Sequence, residues 1–551
     1  GTDGSFVATL AAGSNDTLSL AARDAAGNTG AAVQIAVPGG LPPDPATVAP
    51  PLDPTVPTDL YAATSFLYTG ADPIQTGVAP GTIEPRRVCV LRGRVLGRDG
   101  QPIPGVTITV HGHPEYGQTL SRADGRYDLA VNGGGPLTVS YAKSGHPSAV
   151  RHADVDWREW LTVDDIVLVP FDPAVSVVDL TQPVVQVARG SVVTDASGTR
   201  QATLLFNPGT TATMVLPDGT QQALTTLHVR ATEYTVGPNG PRAMPAPLPA
   251  NVAYTYCVEL SADEEIASGS NRIDFSQPLI QYVENFLGLP VGASVPLGWF
   301  DRTKGVWLPA DNGQIVQILS VNAGMADLDL DGSGVAASAP ALAALGITDG
   351  ERQQLAVLYQ PGQSLWRVAI PHFMAPWDVN WPFSMPDGAT TFGKARTSGN
   401  PDSCTACGSV VKIQAQTLGE SVPLAGTPFS LSYRSSRAPG WRGETSIEVE
   451  LSPSTVPATL KRIELELAVA GRHYAQTFTN APNQRTTLHW DGNDAYGRAM
   501  SAGETAVVEV GYVYDGVYQR NYRFGYSGNG IPITGSFTRQ EVTLWTRIHL
   551  P

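Results

Sequence analysis

Cysteine is scarce: four residues in 551 exclude a disulfide-built scaffold, so stability has to come from apolar cores. No apolar run approaches the roughly 18 residues of a membrane-spanning helix, and the first residues lack the charged and apolar regions of a signal peptide. Long apolar heptads are missing as well. Charged residues are few (15%), and no cluster of Lys and Arg interleaved with aromatics offsets the formal net charge of -15. A chain of that charge repels a phosphate backbone, so nucleic-acid binding is not expected. The chain has no G-x-S-x-G nucleophile elbow and no GxxxxGK[ST] phosphate loop, which leaves no motif for acyl transfer or nucleotide hydrolysis. An enzyme is not expected.

Glycine and proline are plentiful, 57 and 45 residues, and they punctuate short alternating apolar segments. This pattern predicts a mainly β chain of many strands joined by turns. The length predicts three to five domains, each with its own core. Residues 38–60, with PGGLPPDPATVAPPLDPTVP at their start, are so rich in proline that an extended, semi-rigid linker with loose attachment is expected. Before it, residues 1–37 carry the strand patterns FVATL, DTLSLAARD and AAVQIAV around the turn AAGNTG. The chain is therefore expected to begin inside a module and to follow an upstream part.

Residues 61–170 read as a compact sandwich, with strands at CVLRGRVLG, VTITVHG, GRYDLAV, LTVSYAK and DDIVLVP separated by DGQPIPG, SRADG and NGGG. A second sandwich is expected over 171–260, from VVQVARGSVV, RQATLLFN, TATMVLP, LTTLHVRATEY and AYTYCVEL. Residues 261–400 change texture and predict a small mixed region with amphipathic aromatic segments. Its Trp366, Phe373, Trp377, Trp381 and Phe383 are too many large aromatics to leave exposed in solution. They predict a local core combined with a surface that seats against another part of the protein.

Three clusters could carry chemistry. In ADLDLDGSGV, Asp327, Asp329 and Asp331 alternate ahead of Gly332, like the first half of an EF-hand calcium loop, with Ser333 able to offer a carbonyl. Position twelve is Ser338 instead of a bidentate Glu, so a calcium site here would be weaker than a sensor's, and a following helix is expected to return Asp349 or Glu351. The competing reading is an ordinary acidic surface turn with no ion. His111, His113 and Glu115 in VHGHPEY could ligate zinc, but no third partner or HExxH supports that over surface-turn histidines. Cys404 and Cys407 form C-x-x-C, open to a redox pair, half a zinc site or a small disulfide. A strand follows it instead of a helix start, and no second C-x-x-C is present, which favours a disulfide if the region is exported and free thiols otherwise. The run Asp263, Glu264, Glu265 reads as a solvated face.

From Cys404 to Arg437 the chain reads CTACGSVVKIQAQTLGESVPLAGTPFSLSYRSSR, with strands at Val410–Ala415 and Phe429–Tyr433 and a turn over Gly419–Pro428. Later strands are expected at Thr445–Leu451, Ile463–Val469, Thr505–Val513 and Tyr522–Tyr526, with LHWDGNDAYGR as a tight turn around a core Trp490. In that turn Asp491, Asn493 and Asp494 are read as acceptors for backbone amides.

The LGE-x-VPL-x-GTPF-x-L-x-YRS run resembles the entry into the shell of bacterial Rhs (YD-repeat) proteins. The GRV-x-GRDGQPIPGVTITV…T-x-SRADGRYDLAV pattern resembles the carboxypeptidase-regulatory, transthyretin-like domain. The start of the chain resembles the end of a bacterial immunoglobulin-like repeat, and the Leu488–Arg498 turn resembles an immunoglobulin-like insert of Rhs proteins. The Rhs resemblance runs from about Leu60 to the end, with the aromatic segment in the position of the plug of teneurins. It implies several β-sandwich domains, a small mixed plug and the start of a β shell over 401–551. It further implies a noncatalytic part of a secreted or bacterial cell-surface polymorphic toxin, whose partners are its own downstream YD-repeat shell and the enclosed toxin domain. A secreted adhesin or carbohydrate-binding protein is the alternative, since such modules on a proline stalk would serve it equally.

Overall fold

The computed structural model describes residues 17–20, 33–36, 40–56, 58–270, 272–392, 409–412, 417–434, 446–500 and 505–550. Cys404 and Cys407 lie outside them. At the N-terminus Thr17–Leu20 pairs antiparallel with Val33–Ala36, as the alternation there predicts. The expected strand FVATL lies outside the described residues.

The proline-rich segment departs from the expected loose linker. Asp44 caps a single helical turn, Pro45–Val48, by accepting from the Ala46 amide at 3.0 Å. Leu52 then packs on the core of the C-terminal unit, and the Pro50 carbonyl accepts from Arg498 at 2.9 Å. Proline density sets the local conformation, but it leaves carbonyls and ring faces free to be used by a neighbouring domain.

The first sandwich consists of two four-stranded sheets. In one, Val88–Leu96 lies between Ile166–Val167 and Arg126–Asn132 and also pairs with Glu159–Thr162. The other runs Thr119–Leu120, Thr107–Val110, Gly135–Ala142, Ala149–Val155. Strand Ala149–Val155 alternates inward Ala149, Arg151, Ala153 and Val155 with outward residues, the signature of a half-buried strand. Leu91, Val95, Ile108, Leu129, Val139 and Ile166, all fully buried, fill the space between the sheets.

The expected boundary at residue 260 does not separate two domains. It falls inside the strand Tyr256–Ala262, which pairs with Thr226–Glu233 on one side and with Ala375–Val379 on the other. Segments 171–260 and 261–400 thus contribute to one central body of two sheets, six-stranded and nine-stranded. Periodicity reveals that a stretch is a strand but not which distant strand it joins, and the pairing partner is what draws the boundary. The long strand Arg272–Glu284 is buried on both faces: Leu279 and Val283 enter the core between the sheets, while Ile280 and Tyr282 face a second core. The helices Ala339–Ala344 and Asp349–Leu358 supply that second core with Leu355 and Ile347 between them, so the nine-stranded sheet is covered on its outer side.

The C-terminal unit is built on Ala506–Gln519, which pairs with Arg462–Val469, Pro532–Leu550 and Phe383–Ser384. Arg472–Thr479 extends this sheet, and a second pair, Ser446–Glu450 with Arg485–His489, lies against it. Tyr522–Tyr526, expected as a strand, is part of the loop between Ala506–Gln519 and Pro532–Leu550. The expected turn Gly419–Pro428 is also corrected. Thr417–Pro423 is the central strand of a three-stranded sheet with Ser409–Lys412 and Ser430–Arg434, and the reversal is confined to residues 424–429, closed by the Leu424 amide on the Phe429 carbonyl at 2.9 Å. Pairing on both edges of Thr417–Pro423 outweighs the Gly419 that suggested a turn.

Candidate functional site

The aromatic segment is core. Trp366, Phe373, Trp377 and Trp381 are buried between the two sheets of the central body, and Phe383 is half-buried at its rim. Their indole N–H groups are satisfied inside: Trp366 donates to Asn285 at 2.8 Å, Trp377 to the His372 carbonyl at 3.1 Å and Trp381 to the Ser294 carbonyl at 3.1 Å. The expected contact with another unit is narrower than the whole segment. Trp381 meets Tyr518 edge-on at 6.0 Å, and Phe383 pairs with Tyr518 in the C-terminal sheet.

That contact belongs to the first of two junctions. The Tyr518 hydroxyl reaches Thr255 Oγ1 at 2.9 Å, and Gln519 N donates to the Pro382 carbonyl at 2.8 Å. Arg539 crosses from the last strand to donate to the carbonyls of Thr255 (2.7 Å) and Thr235 (2.8 Å) and to Asp195 Oδ2 (3.0 Å). Asp195 also takes both terminal nitrogens of the buried Arg200, and Arg200 pairs with Glu233. Burial pushes the Asp195 carboxyl up, but hydrogen bonds from Arg200 and the Ser197 and Gly237 amides outweigh it and hold it well below the usual range.

The second junction joins the C-terminal unit to the first sandwich through the turn at residues 490–500. Asp494, almost fully buried, accepts from the Tyr496 and Arg498 amides, both at 2.9 Å, and from the Arg498 guanidinium at 2.7 and 2.9 Å. The turn therefore closes onto backbone amides as its sequence predicts, and Trp490 donates to the Asn493 carbonyl at 2.8 Å while packing half-buried on the core. So fixed, the turn projects Tyr496 into a slot between Phe66 and Trp160, each ring edge-on at 5.3 Å. The guanidinium of Arg92 lies 5.6 Å from the Tyr496 ring and that of Arg498 5.3 Å. At the bottom of the slot the Tyr496 hydroxyl donates to Asp128 Oδ1 at 3.2 Å. Asp128, fully buried, accepts from Arg92 and Arg122, both at 2.6 Å. Burial raises the Asp128 carboxyl, and the two guanidinium charges of Arg92 and Arg122 more than offset that, so its net displacement is downward. Burial drives the Tyr496 phenol upward, well above its ordinary value. Arg92 also donates to the Gly471 carbonyl. Gly471 has φ +75°, and a Cβ there would stand 2.7 Å from the Trp160 ring, so the close approach requires glycine.

Sequence reading missed this group: Asp128, Arg92, Arg122, Tyr496 and Arg498. The available signal was a charge in a buried strand, Arg92 in VCVLRGRVL and Asp128 in RYDLAVN, where an unpaired ion would not be tolerated.

The residues expected to bind calcium are not brought together. Asp327 Oδ2 accepts from Ser320 Oγ at 2.8 Å and from Asn322, and its Oδ1 pairs with Arg352 at 3.2 Å. Asp329 is buried and saturated by the amides of Asp331 (3.0 Å), Gly332 (2.8 Å) and Gly334 (2.7 Å). Asp331 accepts from the Ser333 amide at 3.0 Å. Two helices follow the loop where one was expected, but Glu351 is buried against Arg367 and Tyr282, and Asp349 pairs with Arg352. Among the described residues no group of three or more His, Cys, Asp or Glu is placed to hold a metal ion. The geometry supports a turn without an ion, but one closed on the buried Asp329 instead of lying open at the surface.

His111 and His113 line an open cleft of about 650 Å³ with Thr76, Thr109, Gln118 and Ser140, and Glu115 is turned onto His113 Nδ1 at 2.9 Å. The acidic run is not a solvated face. It forms the helix Asp263–Ser268, where Asp263 pairs with Arg230, Glu264 with His228, and Glu265 is fully buried with its carboxyl pushed up to about 9, chiefly by burial. Cys89 and Cys257 are buried and free. No helix among the described residues is long and apolar enough to cross a membrane.

Residues 83–168 match the family model described as Teneurin TTR-like domain, and residues 446–519 match the one described as Teneurin 1-4, FN-plug domain. The two matched segments are thus the two that meet at Tyr496 and Asp128. Over 134 residues, 24% of this chain, the sequence is 36% identical to Teneurin-1 of Gallus gallus. It is 35% identical to Teneurin-3 of Mus musculus over 102 residues, 18% of the chain, and 34% identical to Teneurin-4 of Mus musculus over 113 residues, 20% of the chain. The chain spans 4% of the length of each of these relatives. Among solved structures, 3-chlorocatechol 1,2-dioxygenase from Rhodococcus opacus 1CP is superposed with a TM-score of 0.14 at 14% identity, covering 17% of this chain and 64% of that one. The BcpA pilin of Bacillus cereus reaches 0.11 at 10% identity, over 83% and 95% of the two chains. Scores this low carry no argument. The two matched domains support a structural, noncatalytic role.

Proposed function

We propose that this chain is the plug and shell-entry part of a secreted or cell-surface Rhs/YD-repeat protein, whose partners are its own downstream shell and a toxin domain enclosed by it. The observation that carries the reading is a contrast in burial. The C-terminal unit is bolted to both preceding domains through Tyr496 and Tyr518. The hairpin Thr417–Pro423 with Ser430–Arg434, in contrast, leaves Val422, Leu424, Phe429 and Leu431 between 46% and 68% exposed. Four large apolar side chains on one short hairpin form a surface that a soluble protein covers. On this reading the first shell strands cover it, and the LGE-x-VPL-x-GTPF run is the seam at which plug gives way to shell.

The test is limited proteolysis of the full-length protein carrying Phe429→Asp with Leu431→Asp. The plug reading expects the enclosed toxin domain, protected in the parent, to become digestible while the melting of the first sandwich is unchanged. If the parent's toxin domain is digested freely, or the double variant leaves it as protected as before, the reading is wrong.

A further inference from the structure

The loop of residues 520–531, between the strands Ala506–Gln519 and Pro532–Leu550, is pinned at several points yet presents its largest side chains to solvent. Phe524 anchors it. That ring is buried, lies 6.0 Å from Trp307, and would stand 2.4 Å from a Cβ on Gly298, so only glycine at 298 admits it. Asn312 Nδ2 donates to the Tyr522 carbonyl at 2.7 Å and Asn251 Nδ2 to the Gly525 carbonyl at 3.1 Å. The Arg520 amide donates to the Ile531 carbonyl at 3.1 Å, closing the loop at its base. On this fixed backbone Tyr522 is 83% exposed and Tyr526 59% exposed, with Ile531, Arg520 and Arg523 exposed beside them.

The loop contains no Asp or Glu, and no salt bridge among the described residues involves either arginine. In a chain of net charge -15 this tip interleaves two arginines with aromatics, a local pattern that the whole-chain charge does not reveal. Tyrosine and arginine on a backbone already ordered are the composition of a recognition surface, because little conformational entropy is lost on binding. The positive charge selects an anionic ligand. The size selects a small one: five side chains fall well short of the roughly 20–30 residues that a stable protein interface engages on each side. We infer that the 520–531 loop binds an acidic oligosaccharide, whose pyranose faces stack on Tyr522 and Tyr526 while Arg520 and Arg523 take its carboxylate or sulfate groups. This rests on the loop alone and is independent of the plug reading.

The experiment is isothermal titration of the 551-residue chain with four probes: tetragalacturonate, its methyl ester, a heparin-derived tetrasaccharide and a tetraglutamate peptide. An acidic tetrasaccharide binds, more weakly as salt rises, and the ester and the peptide do not; which of the two acidic saccharides binds more tightly identifies carboxylate or sulfate as the recognised anion. Tyr522→Ala and Arg523→Gln each weaken binding about tenfold or more, with melting temperatures unchanged because both side chains are exposed. The inference is overturned if neither acidic saccharide binds, if the ester binds equally well, or if neither substitution weakens binding. Preference for the peptide also overturns it and assigns the loop to an acidic polypeptide.

Discussion

Tyr496 and Asp128 are 368 positions apart in sequence, and the hydroxyl of one donates to the buried carboxylate of the other at 3.2 Å. Through this bond the matched C-terminal domain reads the interior of the matched first sandwich, since Asp128 is already the shared counterion of Arg92 and Arg122.

Tyr496→Phe removes only the hydrogen bond to a charged carboxylate and keeps the ring between Phe66 and Trp160, so a loss of about 1.5–3 kcal/mol is expected. Tyr496→Ala empties the slot and should cost about 3–5 kcal/mol at the junction. Differential scanning calorimetry checks both: the parent and the Phe variant melt with the two domains coupled, and the Ala variant splits the endotherm.

Asp128→Asn strips Arg92 and Arg122 of their shared buried counterion and leaves Arg122 only Asp124 at 3.8 Å, for which a loss of about 3–5 kcal/mol is expected at pH 7. Because the folded carboxyl titrates below its unfolded value of about 3.9, the stabilisation is present above that pH and disappears as pH falls through the folded pKa. Urea midpoints of parent and variant should therefore lie far apart at pH 7 and converge in strong acid. Midpoints that stay equally separated down to pH 2 would argue against the ion triad.

Glu265 has the opposite sign. Its folded carboxyl, pushed up to about 9, holds a proton that the unfolded chain releases near pH 4.3, so the parent loses stability as pH rises through that window. The loss is at most about 1.4 kcal/mol per pH unit. Glu265→Gln keeps the neutral shape and removes the slope, so by pH 8 the variant should be the more stable of the two in urea titrations. A variant less stable than the parent at pH 8 would show that the carboxyl is ionised in the fold.

Trp377→Ala with Trp381→Ala should unfold the central body, because both indoles fill its core and each substitution is expected to cost about 3–5 kcal/mol. The central transition should disappear by calorimetry while the first sandwich still melts on its own core.

Asp329→Ala removes the acceptor of three backbone amides. The melting temperature should drop by the same amount in chelator and in millimolar calcium. A drop seen only with calcium present would restore the calcium loop.

Much of the local structure was legible. The turns DGQPIPG and SRADG, with alternation on either side, place the strands of the first sandwich, and the Asp-Gly turn after Trp490 reads as self-closing because short acidic side chains reach their own following amides. The same logic explains Asp329, which alternation with Asp327 and Asp331 presents equally well as an ion ligand. Glu265 is buried although it belongs to an acidic run, because three adjacent carboxylates carry no information on which side of a short helix faces the protein.

The sequence by itself determined that this is a β chain of several cores, with strands where branched and aromatic residues alternate and reversals where Gly, Pro and Asp break them, since those preferences act within a few residues. Only the tertiary structure decided that segments 171–260 and 261–400 share two sheets, that the proline-rich stretch is clamped by Arg498, and that Tyr496 reaches Asp128. Each of these depends on pairing between distant strands or on a buried charge finding its partner, and nothing local in the chain specifies which of many equivalent strands or ions that partner will be.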